Sequence, residues 1–322
     1  MVRIVALNEI QEALKAIDPR REIIPAIQDG FVAYSQGRVV VPPVGELTFD
    51  DPKGETHIKY GYIKRDEVFV IKIASGFHGN LKLGIPTCHG LMLIFSQKTG
   101  ELKCVLLDEG YLTQVRTAAA GAVVAKFFAP RNIRRVGVFG TGIQGRMQVE
   151  YLTYVMDIPE VMVWGLNQDE VDGYRADMEP KGFKILTTLD AEDIASTCHF
   201  IVTATPSCLP LLAAAQIRQG THITAMGSDT VDKQELDPAI ARKADRFIVD
   251  SLSQGLLRGE MYHALRSGLI TAEKPIELGA AIADKKRHRA SDEEITVVDL
   301  TGVAVQDIQI AKLVWAAIEK KG

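Results

Sequence analysis

Val136 to Leu152 read VGVFGTGIQGRMQVEYL. A short apolar run enters Gly140, Gly142 and Gly145 at the spacing G-x-G-x-x-G, and an amphipathic helical pattern follows. The three glycines have separate uses. The first permits a tight turn, the second lets backbone approach a pyrophosphate, and the third lets the helix pack closely on the strand. The helix N-terminus then faces the phosphate charge. Gly140, Thr141, Gly142, Ile143, Gln144 and Gly145 are therefore read as a dinucleotide cradle. The turn lies well inside the chain, so a different structure precedes it.

Downstream, the texture is that of βα units. Strands are expected at 136–140, 160–165, 183–187, 199–205, 221–227, 245–250 and 295–300, mostly with helical segments between them. Short, β-branched, nearly non-alternating strands mark a parallel sheet covered on both faces. The second strand should end at the adenosine ribose, where an acid selects NAD and a cation holds the 2′-phosphate of NADP. Here Gly165, Leu166 and Asn167 stand instead, with Asp169 somewhat late and Arg146 the nearest cation in the pattern. NAD and NADP both stay open, with Asn167 the expected contact. Thr203, Ala204, Thr205 and Ser207 close the fourth strand, where the nicotinamide half of a dinucleotide runs. Met226, Gly227 and Ser228 close the fifth and place Asp229 at the carboxyl ends of the strands.

Upstream, the chain reads as an antiparallel sheet carrying helices. Glu22 to Tyr34 has the apolar spacing of a buried helix face, with an earlier helix capped by Asn8. THIKYGYI (56–63) and EVFVIKIAS (67–75) alternate as two strands, and Leu91 to Leu107 reads as a hairpin turning at Lys98-Thr99-Gly100. Thr113 to Phe128 is an Ala-rich helix expected to start at a Thr113 cap, with Arg116 in its first turn. Arg131 to Arg135 is a polar junction. A long apolar helix, Val303 to Lys320, is expected to return to the first part.

Composition bounds the function. The chain has 322 residues, 47% hydrophobic, with a formal net charge of -4. That supports sizeable cores and offers no basic excess for a nucleic-acid partner. No apolar run reaches membrane-spanning length and no leader pattern opens the chain, so a soluble cytoplasmic protein is expected. Cys88, Cys104, Cys198 and Cys208 lack metal-ligand spacing and are read as packing thiols. His57, His78 and His89 lack the tight spacing of a zinc site, and no metal is expected.

With these segments in view, the chain resembles the ornithine cyclodeaminase/mu-crystallin family over nearly its whole length. The marks are VIKIASGFHGN (70–80), LGIPT (83–87), GYLTQVRTAAAG (110–121), GTGIQG (140–145), MGSDTVDKQELD (226–237) and VDLTGVAVQD (298–307). The resemblance implies an α/β chain in which a Rossmann-type parallel-sheet nucleotide domain, 131–302, is inserted in an α+β substrate-binding and dimerisation domain. That second domain comprises 1–130, joined by the helix at 303–322. It also implies a homodimer. Lys72 and Arg116 match the family residues that hold the substrate carboxylate, Thr87 a small hydroxyl residue lining the pocket, and Asp229 the acid near the substrate nitrogen. Lys59 stands where many members have arginine, which keeps the charge and loses the bidentate fork. His78 and Asn80 are expected to border the pocket.

The chemistry implied is an NAD(P)H-dependent reduction of ketimines or 2-imino acids such as pyrroline-2-carboxylate, run in reverse as an L-amino-acid dehydrogenase. Cations fix the carboxylate so that C2 faces the nicotinamide, and an acid stabilises the iminium. A cyclodeaminase keeping its NAD and releasing ammonia is the second reading, though it needs a further acid for a distal amine. A nucleotide-dependent binding protein without catalysis is the third.

Overall fold

The computed structural model describes residues 2–320, except the side chains of His78 and Leu81, so the expectation for the His78 ring lies outside the described residues. The chain divides into two compact units. One runs up to Ala120 and resumes at Val303; the other is Gly121–Gly302. The division falls inside a helix, earlier than the junction expected at 130/131.

The first unit is built on a sheet. Its elements are β1 (Arg3–Ala6), α1 (Leu7–Leu14), α2 (Ile24–Ser35), β2 (Val39–Val40), β3 (Gly45–Phe49), β4 (Gly54–Ile63), β5 (Val68–Gly76), β6 (Cys88–Ser96), β7 (Leu102–Leu107) and α3 (Tyr111–Phe128). The strand order is β1-β7-β6-β5-β4-β2, with β3 also paired to β4. All pairs are antiparallel except β1 with β7. Period-two alternation turns Val70, Lys72, Met92, Ile94, Cys104 and Leu106 to a buried face. The last helix, Ala304–Glu319, packs on α1, α2, β4 and β5. Gly30 on α2 makes room for it, since a Cβ there would meet Gln309 Cγ at 3.1 Å.

The opposite face of this sheet is apolar and only partly covered. Ile4, Tyr60, Tyr62 and Leu107 are exposed. Ile58, Ile71, Ile73, Leu93 and Phe95 are intermediate, and Phe69 stacks on Phe95 with ring centroids 4.8 Å apart.

Two caps differ from expectation. The first helix starts at Leu7 behind Ala6, whose N–H donates to Glu9 Oε2 at 3.1 Å, so Asn8 is already inside the helix. The Ala-rich helix starts at Tyr111, and Leu112 N donates to Asp108 Oδ2 at 2.8 Å. Asp108 therefore caps the helix where Thr113 was expected to, and Arg116 lies in the second turn. Cys104 and Cys198 are buried as expected, whereas Cys88 and Cys208 are exposed and do not pack a core.

The second unit is a doubly wound parallel sheet. Its elements are β8 (Val136–Phe139), α4 (Ile143–Leu152), β9 (Val161–Trp164), α5 (Gln168–Met178), β10 (Ile185–Thr188), α6 (Ala191–Thr197), β11 (Phe200–Thr203), β12 (His222–Ala225), α7 (Pro238–Lys243), β13 (Arg246–Val249), α8 (Leu252–Gly255), α9 (Gly259–Arg266), β14 (Ile276–Glu277), α10 (Leu278–Ala283) and β15 (Thr296–Asp299). The order is β10-β9-β8-β11-β12-β15-β13-β14, parallel throughout. The winding reverses between β8 and β11. Open α/β sheets bind ligands at the carboxyl ends of their strands beside such a reversal. The strand β15, last in the chain, lies between β12 and β13, which sequence order alone did not show.

Candidate functional site

In the first unit, the cations gather on the buried sheet face and the adjoining helices. Lys59 on β4 and Lys72 on β5 are cross-strand partners, so the alternation that buries Lys72 also buries Lys59. Lys59 is 6%, Lys72 2% and Arg116 5% exposed, so three cations sit where water does not solvate them. The compensating charge is Asp307 on the last helix. Its Oδ1 takes Arg116 Nε at 2.9 Å and Lys72 Nζ at 3.3 Å. Gln306, its neighbour, accepts from Arg116 Nη1 at 3.1 Å. Asp307 Oδ2 and Gln306 Nε2 are buried without a hydrogen-bond partner among the described residues.

The electrostatics follow from burial. Desolvation pulls the Lys72 ammonium down to about 7; Asp307 opposes this, and Arg116 and Lys59 reinforce it. Burial alone would raise the Asp307 carboxyl, but Lys72, Arg116 and Lys59 together hold it below the usual carboxylate range. Both directions describe an ionised Asp307 beside a lysine that gains and loses its proton near neutrality. Thr87 lies just before β6, where its hydroxyl pairs with Cys88 Sγ at 3.9 Å and its carbonyl accepts from Phe77 N at 2.8 Å. Asn80 Nδ2 donates to Pro86 O at 2.9 Å and ties the same loop.

In the second unit, the glycine turn behaves as its spacing requires. Gly140 has φ +107°, and a Cβ there would lie 2.6 Å from Ala204 O, so the ends of β8 and β11 approach across the reversal point. A Cβ on Gly145 would run into Gly140 O, while one on Gly142, at the cap of α4, would meet nothing within 4 Å. Space at the second glycine, ahead of a helix N-terminus, is what a pyrophosphate needs. The residues present therefore fit a dinucleotide.

The ends of β11 and β12 are fastened by a residue the sequence pattern did not single out. Glu235 is fully buried. Its Oε1 accepts from Thr205 N at 2.7 Å and Thr205 Oγ1 at 2.8 Å; its Oε2 accepts from Thr203 Oγ1 at 2.7 Å and Gly227 N at 2.8 Å. The expected cofactor hydroxyls of Thr203 and Thr205 are thus committed to a carboxylate beneath them. Glu260 in turn accepts from Glu235 N at 2.8 Å and Leu236 N at 3.2 Å. Asp299 accepts from Met261 N at 2.9 Å. Burial, with the neighbouring Asp299 and Glu235 charges, holds Glu260 well above the usual carboxylate range, and burial first does the same for Asp299.

The other expected positions are placed as follows. Asp229 Oδ1 pairs with Lys233 Nζ at 2.8 Å, with its side chain about a third exposed (37%). Ser228 is buried and its hydroxyl donates to Lys233 O. Ser207 Oγ donates to Leu209 O at 2.6 Å, and Met226 N to Thr203 O at 3.0 Å. Asn167 caps α5 by accepting from Glu170 N at 3.0 Å. Arg146 is paired with Asp177 at 2.8 Å and donates to Thr141 O.

A doubly wound sheet with this glycine turn, in a chain whose other unit buries cations around one carboxylate, belongs to the ornithine cyclodeaminase/mu-crystallin family, and the match spans residues 4–322. Among its relatives, an uncharacterized cyclodeaminase of Sinorhizobium fredii is 39% identical over 311 residues, 94% of each chain. An archaeal alanine dehydrogenase dimer solved with bound NAD is 33% identical, with a TM-score of 0.89 over 99% of this chain and 97% of that one. The Thermococcus litoralis Delta(1)-pyrroline-2-carboxylate reductase, solved with NADH and L-proline, is 25% identical, with a TM-score of 0.91 over 100% and 98%.

Proposed function

We propose that this protein is an NAD(H)-dependent reductase of 2-imino acids, cyclic or linear, and in reverse an L-amino-acid dehydrogenase. The observation that carries the reading is the cluster around Asp307. It gathers three buried cations, Lys59, Lys72 and Arg116, with Gln306 Nε2 and one carboxylate oxygen, Asp307 Oδ2, neither of which has a hydrogen-bond partner among the described residues. A carboxylate with a nitrogen on the adjacent carbon matches that pattern: donors take the carboxylate, and an acceptor takes the N–H. Relatives that act on such compounds, and that were solved with NAD or NADH, support the same reading.

The bound dinucleotide supplies the hydride. The chain's own residues do the rest. Arg116 and Lys59 fix the substrate carboxylate and so orient C2. Lys72, held near neutrality, gives up or receives the proton that accompanies reduction of the C=N bond. On the family resemblance we assign to Asp229, which pairs with Lys233, the role of the acid near the substrate nitrogen. Glu235 keeps the ends of β11 and β12 in place for the nicotinamide half.

We also read the apolar outer face of the first sheet as the contact between two copies, giving a homodimer in the cytoplasm. NADH consumption should follow addition of pyrroline-2-carboxylate or another 2-imino acid. Lys72→Ala should lose that turnover while still binding NADH. If ornithine instead yields proline and ammonia with no net NADH change, cyclodeamination replaces this reading.

A further inference from the structure

The second strand of the sheet, β9, ends at Trp164 without the acid that reads an adenosine ribose; Gly165 follows directly. The structure supplies an acid from elsewhere. Glu170, in the first turn of α5, folds back so that its Oε2 accepts from Leu166 N at 3.2 Å and lies 3.4 Å from Thr141 Oγ1. Its Oε1 accepts from Asn167 Nδ2 at 3.1 Å. The carboxylate thus stands in the corner between the glycine turn and the end of β9. Gly165 is what makes the room. A Cβ there would lie 2.9 Å from both Thr141 Cγ2 and Val171 Cγ1, and 3.4 Å from Glu170 Oε2. The missing acid and the substituted one are two sides of one arrangement.

We propose that Glu170 is the residue that binds the adenosine ribose hydroxyls and makes this protein select NAD over NADP. The proposal rests on the oxidoreductase reading above and deepens it. A carboxylate has about four acceptor positions, and the three donors named leave capacity for a ribose hydroxyl. Among the described residues, the two nearby arginines are already engaged rather than free to hold a 2′-phosphate. Arg146 is held by Asp177 and Thr141 O, and Arg175 lies 3.5 Å from Asp172 and 2.6 Å from Thr187 Oγ1. Asp169 adds a further negative charge to the same helical turn. A plain capping role for Glu170, reciprocal with Asn167, is the competing account.

The test is titration of the purified protein with NADH and with NADPH, following fluorescence. Wild type should bind NADH at least about tenfold more tightly, the scale of one hydrogen bond to a charged group. Glu170→Gln should weaken NADH by about tenfold and leave NADPH unchanged or tighter, so that the preference collapses. Equal wild-type affinity for the two overturns the proposal without any variant. So does a Glu170→Gln protein in which both affinities fall by one factor, the mark of a cap alone. If wild type binds neither dinucleotide, the oxidoreductase reading falls with it.

Discussion

At the scale of residues, the buried charges of the first unit meet at Asp307. It lies 191 residues from Arg116 in sequence yet 2.9 Å from it in space. Nothing in VDLTGVAVQD distinguishes it from a solvated helix acid, and helix periodicity does not show which sheet the helix covers. Lys72 was legible as a candidate through the family's motif, but its burial beside Lys59 required the register of β4 on β5. Asp307→Asn removes the nearest influence that raises the Lys72 pKa and leaves burial, Arg116 and Lys59, which all lower it. The pKa therefore falls below about 7. If reduction needs protonated Lys72, the alkaline limb of kcat/KM moves to lower pH, and a fall of roughly one pKa unit, about 1.4 kcal/mol, lowers activity at pH 7 roughly fivefold. A pH profile of the variant checks this; an unshifted limb would detach Lys72 from the proton.

At the scale of elements, the glycine turn was the most legible feature, because strand, turn and helix all announce themselves within Val136–Leu152. The two glycines that look alike in the motif differ physically. Gly142→Ala places its methyl in open space, so the thermal midpoint should stay within the range of about 1 kcal/mol of stability, while NADH affinity falls by tenfold or more as the methyl occupies the phosphate approach. Gly145→Ala drives a methyl into Gly140 O and should lower the thermal midpoint as well as affinity. Calorimetry with NADH titration separates the two; equal behaviour would mean that the turn does not cradle a phosphate. The start of α3 was misread for a simple reason. Thr113 carries a capping hydroxyl, but the Asp108 carboxylate, beyond the turn, reaches Leu112 N first. Glu235 stayed hidden because a glutamate in a polar loop looks exposed until Thr203, Thr205 and Gly227 are seen to point at it.

At the scale of the whole molecule, the texture changes along the chain: alternating strands come first and non-alternating βα units follow, and the last helix groups with the first unit. Strand order was not readable, since the return of β15 between β12 and β13 depends on packing. The apolar outer face of the first sheet predicts association. Light scattering after gel filtration should give twice the chain mass, and Tyr60→Glu with Phe95→Asp should shift it toward the monomer. A wild-type monomer at micromolar concentration would show that this face does not pair two copies. The central claim is hydride transfer to the C2 of an imino acid. Incubation of the protein with pyrroline-2-carboxylate and NADH carrying deuterium at both nicotinamide C4 positions tests it most directly. Mass spectrometry of the product should find L-proline carrying one deuterium at C2; proline formed without deuterium, or NADH left unconsumed across a set of 2-imino acids, would contradict it.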